Sequence, residues 1–314
     1  MPRPVALAAS AALAFALAFA PPASADARRP GEPVMLGIGE QHASMFDDPL
    51  FGWLGMRTAR IVVPWDVQRI PHDQRRVQEW LDRTRALGIE PLVAFGRSWA
   101  RDGHRRAPTL SEYRWAVRRF RAQHWDVTSF IAWNEPNHPK QPTWKRPRLA
   151  ARYYNMLRAE CPRCTIVAGD VLDTPGMTRY VEAYKRSLSS RARVWGMHNY
   201  GDAYGRKSTA TRQLLRITSG ELWLTETGGV IRRPRGRTGV PMRRLLREAG
   251  GATRYVLNLA VSQPRITRVY LYQWAADAAA PWDSALLGPR RQLRPAFRVA
   301  ARFLKRDVAH APRR

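Results

Sequence analysis

Two glutamates each stand at the close of an apolar run. Glu135 lies within Trp133-Asn134-Glu135-Pro136-Asn137, and Glu226 within Thr225-Glu226-Thr227-Gly228. Paired carboxyl groups across a cleft can break an acetal: one protonates the leaving oxygen and the other attacks the anomeric carbon. The groups stand ~5–5.5 Å apart in retaining chemistry and ~6.5–9.5 Å apart in inverting chemistry. The acid needs a pKa raised by apolar neighbours and by its negative partner, whereas the nucleophile must stay ionised beside a cation. Arg60 is the cation expected for that task. His198 and Tyr200 can donate hydrogen bonds to the nucleophile or to a sugar. Asn134 can hold the sugar 2-hydroxyl in the transition state. Trp65, Trp133 and Trp274 offer flat faces for the apolar side of a sugar ring. Glu40, His42 and Asp170 are weaker candidates at other run ends, and Asp202 and Asp277 read as solvated loop residues.

These residues need a scaffold that brings run ends together. Eight short runs rich in Val, Ile, Leu and aromatics occupy 34–39, 58–63, 90–95, 129–134, 165–170, 194–199, 222–226 and 268–274. Continuous apolar runs of this length suit parallel strands buried on both faces. Amphipathic stretches lie between them, with one face carried by Val77, Trp80, Leu81, Thr84 and Leu87 and another by Leu110, Tyr113, Val117 and Phe120. Further faces run through Leu149, Tyr153, Met156 and Leu157, through Leu245, Ala249, Ala252, Val256 and Leu259, and through Phe297, Ala300, Ala301 and Leu304. The three-to-four spacing is helical. Asp73 and Thr109 are expected N-caps, and Gly88 an expected helix stop. Strand and helix alternating eight times predicts a single-domain (β/α)8 TIM barrel, whose chemistry sits at the C-terminal strand ends. An open nucleotide-binding sheet is disfavoured, because Gly37-Ile38-Gly39 runs into Glu40-Gln41-His42 and not into the rest of a glycine-rich fingerprint.

Taken together, Trp133 to Asn137, Thr225 to Gly228, Arg60 inside the second run and His198-Asn199-Tyr200 at the end of the sixth resemble clan A of the glycoside hydrolases, over almost the whole chain in order and spacing. The compact length and the Thr225-Glu226-Thr227-Gly228-Gly229 ending are similar to the cellulase-like and xylosidase-like branches. The resemblance implies retaining hydrolysis of a poly- or oligosaccharide, with Glu135 as acid/base and Glu226 as nucleophile. Arg60, Asn134, His198, Tyr200 and Trp274 match the clan's supporting positions, and no cofactor or metal is implied.

The first 25 residues read as a secretory signal peptide: Arg3, an apolar stretch, then Ala23-Ser24-Ala25 as a cleavage site. Residues 26–314 would then form the exported catalytic domain, a monomer with no stable membrane insertion. Cys161 and Cys164 are too few for a structural zinc site and fit a small local disulfide in an oxidising compartment. The formal net charge is +28, and only five of the 53 basic residues are Lys. The arginines are spread over the helices, which reads as a solvated surface, apart from the run Arg232-Arg233-Pro234-Arg235-Gly236-Arg237 after the seventh strand. That run reads either as a flexible loop or as a contact for an anionic polysaccharide. A nucleic-acid binder would interleave aromatics with basic residues on one platform; here the aromatics gather at strand ends beside acids, so no specific nucleic acid is expected. The rival reading is a catalytically weak barrel that binds glycans or an anionic cell wall.

Overall fold

The computed structural model describes residues 27–29, 32–100, 103, 105–234, 236 and 238–312. The expected signal peptide, along with Arg235 and Arg237, lies outside the described residues. Eight parallel strands close into a barrel in chain order: β1 (Met35–Gly39), β2 (Thr58–Pro64), β3 (Glu90–Gly96), β4 (Ser129–Ile131), β5 (Thr165–Leu172), β6 (Val194–His198), β7 (Glu221–Thr227) and β8 (Ile266–Tyr272). The α-helices among the described residues are α1 (Pro49–Leu54), α2 (Pro71–Ala86), α3 (Leu110–Gln123), α4 (Pro147–Glu160), α5 (Met177–Lys185), α6 (Tyr200–Gly205), α7 (Thr209–Ile217), α8 (Met242–Ser262) and α9 (Pro295–Phe303). The chain therefore forms the (β/α)8 barrel that its alternation predicts. Among the described residues no helix is long and apolar enough to cross a membrane.

Two apolar layers hold the barrel. Inward-facing Leu92, Ala94, Ile131, Val167, Val194, Trp223 and Tyr270 fill its interior. Outward-facing strand residues such as Ile61, Phe95 and Leu271 pack beneath the helices. Near the N-terminal strand ends, Arg268 bonds Glu90 at 2.7 Å and lies 4.1 Å over the Trp223 ring. This polar floor ties β3, β7 and β8 together on the side away from the chemistry.

Helix starts follow local chemistry. Thr109 caps α3 through a reciprocal capping box with Glu112. Asp73 does not cap α2: Ile70 occupies the cap, Pro71 opens the helix, and Asp73 lies one turn in, where a carboxylate favours the positive helix end. Gly88 takes φ +62° and ends that helical segment. Leu87, expected on the buried face, is exposed because the helix has ended by then. Asp202 is buried, not solvated, and accepts the Ala210 and Thr211 backbone N–H groups at the start of α7. Cys161 and Cys164 form a disulfide in the turn joining α4 to β5.

Candidate active site

The residues that could do chemistry converge at the C-terminal end of the barrel. Arg60 stands on β2 in the inward register with Thr58 and Val62, and its side chain is fully buried. Asn134 and Glu135 follow β4, His198 ends β6, Tyr200 opens α6 and Glu226 lies near the end of β7. The loop after β4 is pinned from both sides. Asn137 donates to the Leu172 carbonyl and accepts from the Leu172 N–H, and the Thr143 hydroxyl donates to the Pro136 carbonyl. Held this way, Glu135 adopts φ +47°, a left-handed conformation uncommon for a residue with a long side chain.

One carboxylate oxygen of Glu135, one of Glu226 and a ring nitrogen of His198 all lie within 4.8 Å of one another. The Glu135 side chain is 21% exposed and that of Glu226 13%, so both look into the mouth from a largely buried base. Glu226 Oε2 accepts from Arg60 Nη1 at 2.8 Å, and Oε1 accepts from the Tyr200 hydroxyl at 3.1 Å. The nucleophile candidate thus has one charged and one neutral donor, which hold its carboxylate in place. Arg60 Nη2 also reaches Asn134 Oδ1 at 2.6 Å. The Asn134 amide oxygen is therefore engaged by Arg60, and only its N–H groups remain for a sugar hydroxyl.

His198 Nδ1 lies 3.0 Å from Glu135 Oε1. Burial works against a charge on His198, but the carboxylates of Asp170 and Glu226 and the bonds to Asp170 and Glu135 raise its pKa to about 10. Burial alone would push Glu135 up; the bond and charge of His198 outweigh it, and the net direction is down. This runs against the expectation of an acid already raised in the free protein: His198 draws Glu135 toward its carboxylate form. The three atoms could also surround a cation, but the imidazole proton and the Arg60 guanidinium already occupy the facing positions, so we assign no metal to them.

The expected tryptophan platforms are not in the mouth. Trp274 is 1% exposed, packs edge-on against Phe51 and Phe297, and donates its Nε1–H to Asp48. Trp65 is 2% exposed beneath the guanidinium groups of Arg69 and Arg106. Trp133 is buried against Tyr153. At these three positions a ring faces the core, so none can stack on a sugar. The inward alternation of β8 runs Arg268, Tyr270, Tyr272, and the ladder ends there. Tyr272 is partly exposed at the rim, near enough to the charges of Glu226, Glu40, Arg60 and Glu135 to feel them. Trp282, from the loop after β8, meets the Tyr200 ring edge-on at 5.1 Å and is also partly exposed. Sequence order alone could have pointed to Tyr272 through strand parity; nothing in the sequence pointed to Trp282.

Glu40 is buried and accepts from the backbone N–H groups of Gln41, His42 and Trp274, which joins the ends of β1 and β8. Burial raises its pKa against those donors. It closes the barrel and does not face a ligand, while His42 is exposed outside the centre. Asp170 is buried beneath the site and bonded to Arg60, His198 and Thr225.

No protein-family model matches the chain, and no curated protein matches it in sequence. Solved structures do resemble it. A family 39 glycoside hydrolase from the gut symbiont Bacteroides cellulosilyticus WH2 superposes with a TM-score of 0.59 at 16% identity, over 87% of this chain and 64% of that one. The chain thus spans somewhat under two thirds of that enzyme's length. Xylanase 10B from Thermotoga maritima gives a TM-score of 0.59 at 9% identity, covering 87% and 95% of the two chains. A GH128 (subgroup I) endo-β-1,3-glucanase from Amycolatopsis mediterranei gives 0.52 at 17% identity, covering 85% and 98%. In fold, the chain is like the clan A glycoside hydrolases that its sequence resembles.

Proposed function

We propose that this chain is a retaining β-glycoside hydrolase, with Glu135 as acid/base and Glu226 as nucleophile. The observation that carries the reading is the approach of the two carboxylates, whose facing oxygens lie within 4.8 Å. That spacing is short of the ~6.5–9.5 Å needed to seat a water for inversion. The likeness in fold to a xylanase, an endo-β-1,3-glucanase and a family 39 enzyme supports the same chemistry.

A sugar seated against Tyr272 and Trp282 would present its anomeric carbon to Glu226. One Glu226 oxygen forms a bond to that carbon as the glycosidic C–O bond breaks and Glu135 delivers a proton to the departing oxygen. Closure of the cleft by the sugar removes water from the Glu135–His198 contact. A low dielectric disfavours the charge-separated form, so the proton moves from Nδ1 to Glu135 when it is needed. Glu135 then takes a proton from water, which attacks the same carbon and frees Glu226. Arg60 and Tyr200 hold the Glu226 carboxylate throughout.

The expected export to the cell envelope or beyond belongs to this proposal, as does an anion-bearing glycan as substrate. The latter is supported by a cavity of about 420 Å³ lined by Arg232, Arg233, Tyr204, Val230 and Met242 just after β7. Replacing Arg232 and Arg233 with Ala should weaken action on charged glycans more than on neutral ones; equal losses would count against it. The activity itself is tested with a panel of aryl β-glycosides and β-glucans, with NMR to identify the first-formed anomer. Hydrolysis with retention is expected, abolished in Glu226→Ala. Undiminished hydrolysis by that variant refutes the assignment. A wild-type chain that binds glycans and cleaves none would favour the binding-protein alternative.

A further inference from the structure

Beneath the two glutamates lies a third acid that the proposed chemistry does not use. Asp170 is fully buried, so it cannot meet a ligand in the mouth. The backbone is shaped to seat it there. Gly169 and Asp170 take φ +78° and +55°, and the register of β5 against β6 slips at this point, so that Asp170 is the extra residue of a bulge. Gly196 across from it is bare: a Cβ there would come within 2.9 Å of Asp170 Oδ1. Asp170 Oδ2 lies 3.3 Å from Arg60 Nη2, Oδ1 lies 3.3 Å from His198 Nε2, and the Thr225 hydroxyl donates to Oδ1.

Arg60 Nη2 and His198 Nε2 also approach each other to 3.2 Å. If Nε2 carried no proton, its one lone pair would accept from Arg60, and Asp170 Oδ1, 3.3 Å away, would lose that donor. With a proton on Nε2, that N–H donates to Asp170, and the two Nη2 protons go to Asn134 at 2.6 Å and Asp170 at 3.3 Å; the carboxylates of Asp170, Glu135 and Glu226 around the ring then favour a second proton on Nδ1. The second arrangement gives each of these protons an acceptor. It also sets a carboxylate between two cations that would otherwise repel. The other charged groups facing His198 are Glu135 on the β4 side, 3.0 Å from Nδ1, and Glu226 on β7, 3.9 Å from it. For Asp170, burial pushes its carboxyl up, but His198, Arg60 and the Thr225 bond bring it down to about 2.

We propose that Asp170 is a positioning residue that holds Arg60 and His198 as a pair of cations beneath the two glutamates, and so fixes where the proton of the Glu135–His198 contact rests. The kinetic consequence rests on the hydrolase reading; the placement of the proton does not. The sign of the effect follows from charge. Replacing Asp170 with Asn removes one negative charge from beside Arg60, His198, Glu135 and Glu226. Every proton left in the cluster is then held less tightly, and its apparent titrations move to lower pH.

The test is NMR of ring-labelled histidines in the full chain, with pH profiles of kcat/KM on an aryl β-glycoside. In the wild type, His198 should remain cationic through pH 8. In Asp170→Asn it should titrate at least about one pH unit lower, and the basic limb of kcat/KM should shift the same way. A neutral His198 at pH 8 in the wild type overturns the proposal, and needs no variant that might fail to fold. An unmoved His198 titration in a folded Asp170→Asn chain overturns it as well, as does a loss of kcat with both limbs in place, which would mark a merely structural role. A chain that cleaves no glycoside but whose His198 titrates as expected would count against the hydrolase reading and leave the Asp170 assignment standing.

Discussion

Arg60 is the residue whose loss should be felt in most places at once, and Arg60→Lys isolates its geometry from its charge. The guanidinium spreads over two arms: Nη1 serves Glu226 at 2.8 Å, while Nη2 serves Asn134 at 2.6 Å and Asp170 at 3.3 Å. A lysine ammonium is a compact point charge and can keep one of the two carboxylates. The variant therefore forfeits two hydrogen bonds from a charged donor, one to a carboxylate and one to Asn134, each worth about 1.5–3 kcal/mol. Stability should fall by roughly 3–6 kcal/mol, which lowers Tm by about 5–10 °C for a chain of this size. If the ammonium stays with Asp170, Glu226 loses its charged partner, and kcat/KM should drop by a factor on the order of 100. Differential scanning calorimetry and steady-state kinetics on the same preparation read both quantities. A Lys variant within 2 °C in Tm and about threefold in kcat/KM of the wild type would refute the clamp, since a single point charge would then suffice.

Tyr272 and Trp274 should separate cleanly. Tyr272→Ala should raise KM on aryl glycosides by roughly tenfold with little change in Tm, whereas Trp274→Ala should cost about 3–5 kcal/mol of stability through the cavity it leaves; the reverse pattern in kinetics and melting would restore Trp274 as the sugar platform. The raised pKa of His198, about 10 against the ordinary 6.5 of a histidine, contributes stability that is complete below pH 6.5 and lost as pH rises toward 10. Denaturant unfolding should therefore show stability falling by no more than about 5 kcal/mol across that window from this group, and a flat profile would contradict a cationic His198. Gly196→Ala should lower activity and Tm together by displacing Asp170, whereas an unaffected variant would mean that the bulge yields without cost.

Most of the scaffold was legible because a parallel barrel repeats one simple signal. Seven of the eight strands lie within a residue or two of the apolar runs that predict them. The fourth is shorter: its regular ladder ends at Ile131, although the Asn134 N–H still donates to the Phe95 carbonyl just before Glu135's left-handed turn. The polar side chains at the mouth were legible through residue type and strand-end position. Aromatic orientation was not. Trp65, Trp133 and Trp274 all stand near strand ends, but which way a ring points depends on the partner it finds in three dimensions, such as Asp48 for Trp274. Asp170 was undervalued for a related reason. Its weight comes from a bulge and from cations on two other strands, none of which is written near it in the sequence.

The left-handed backbone at Glu135 sets activity against robustness. Few residues with a Cβ settle at φ +47°, and holding one there costs on the order of 1–3 kcal/mol. Glycine accepts the same conformation without strain. Glu135→Gly would relieve that conflict, at the loss of the carboxylate's bond to His198. The most direct route to a hardier barrel therefore runs through the position that the proposed chemistry can least spare. A library sorted for heat resistance alone would be expected to discard Glu135 early, and one sorted for turnover to keep it against a standing stability deficit.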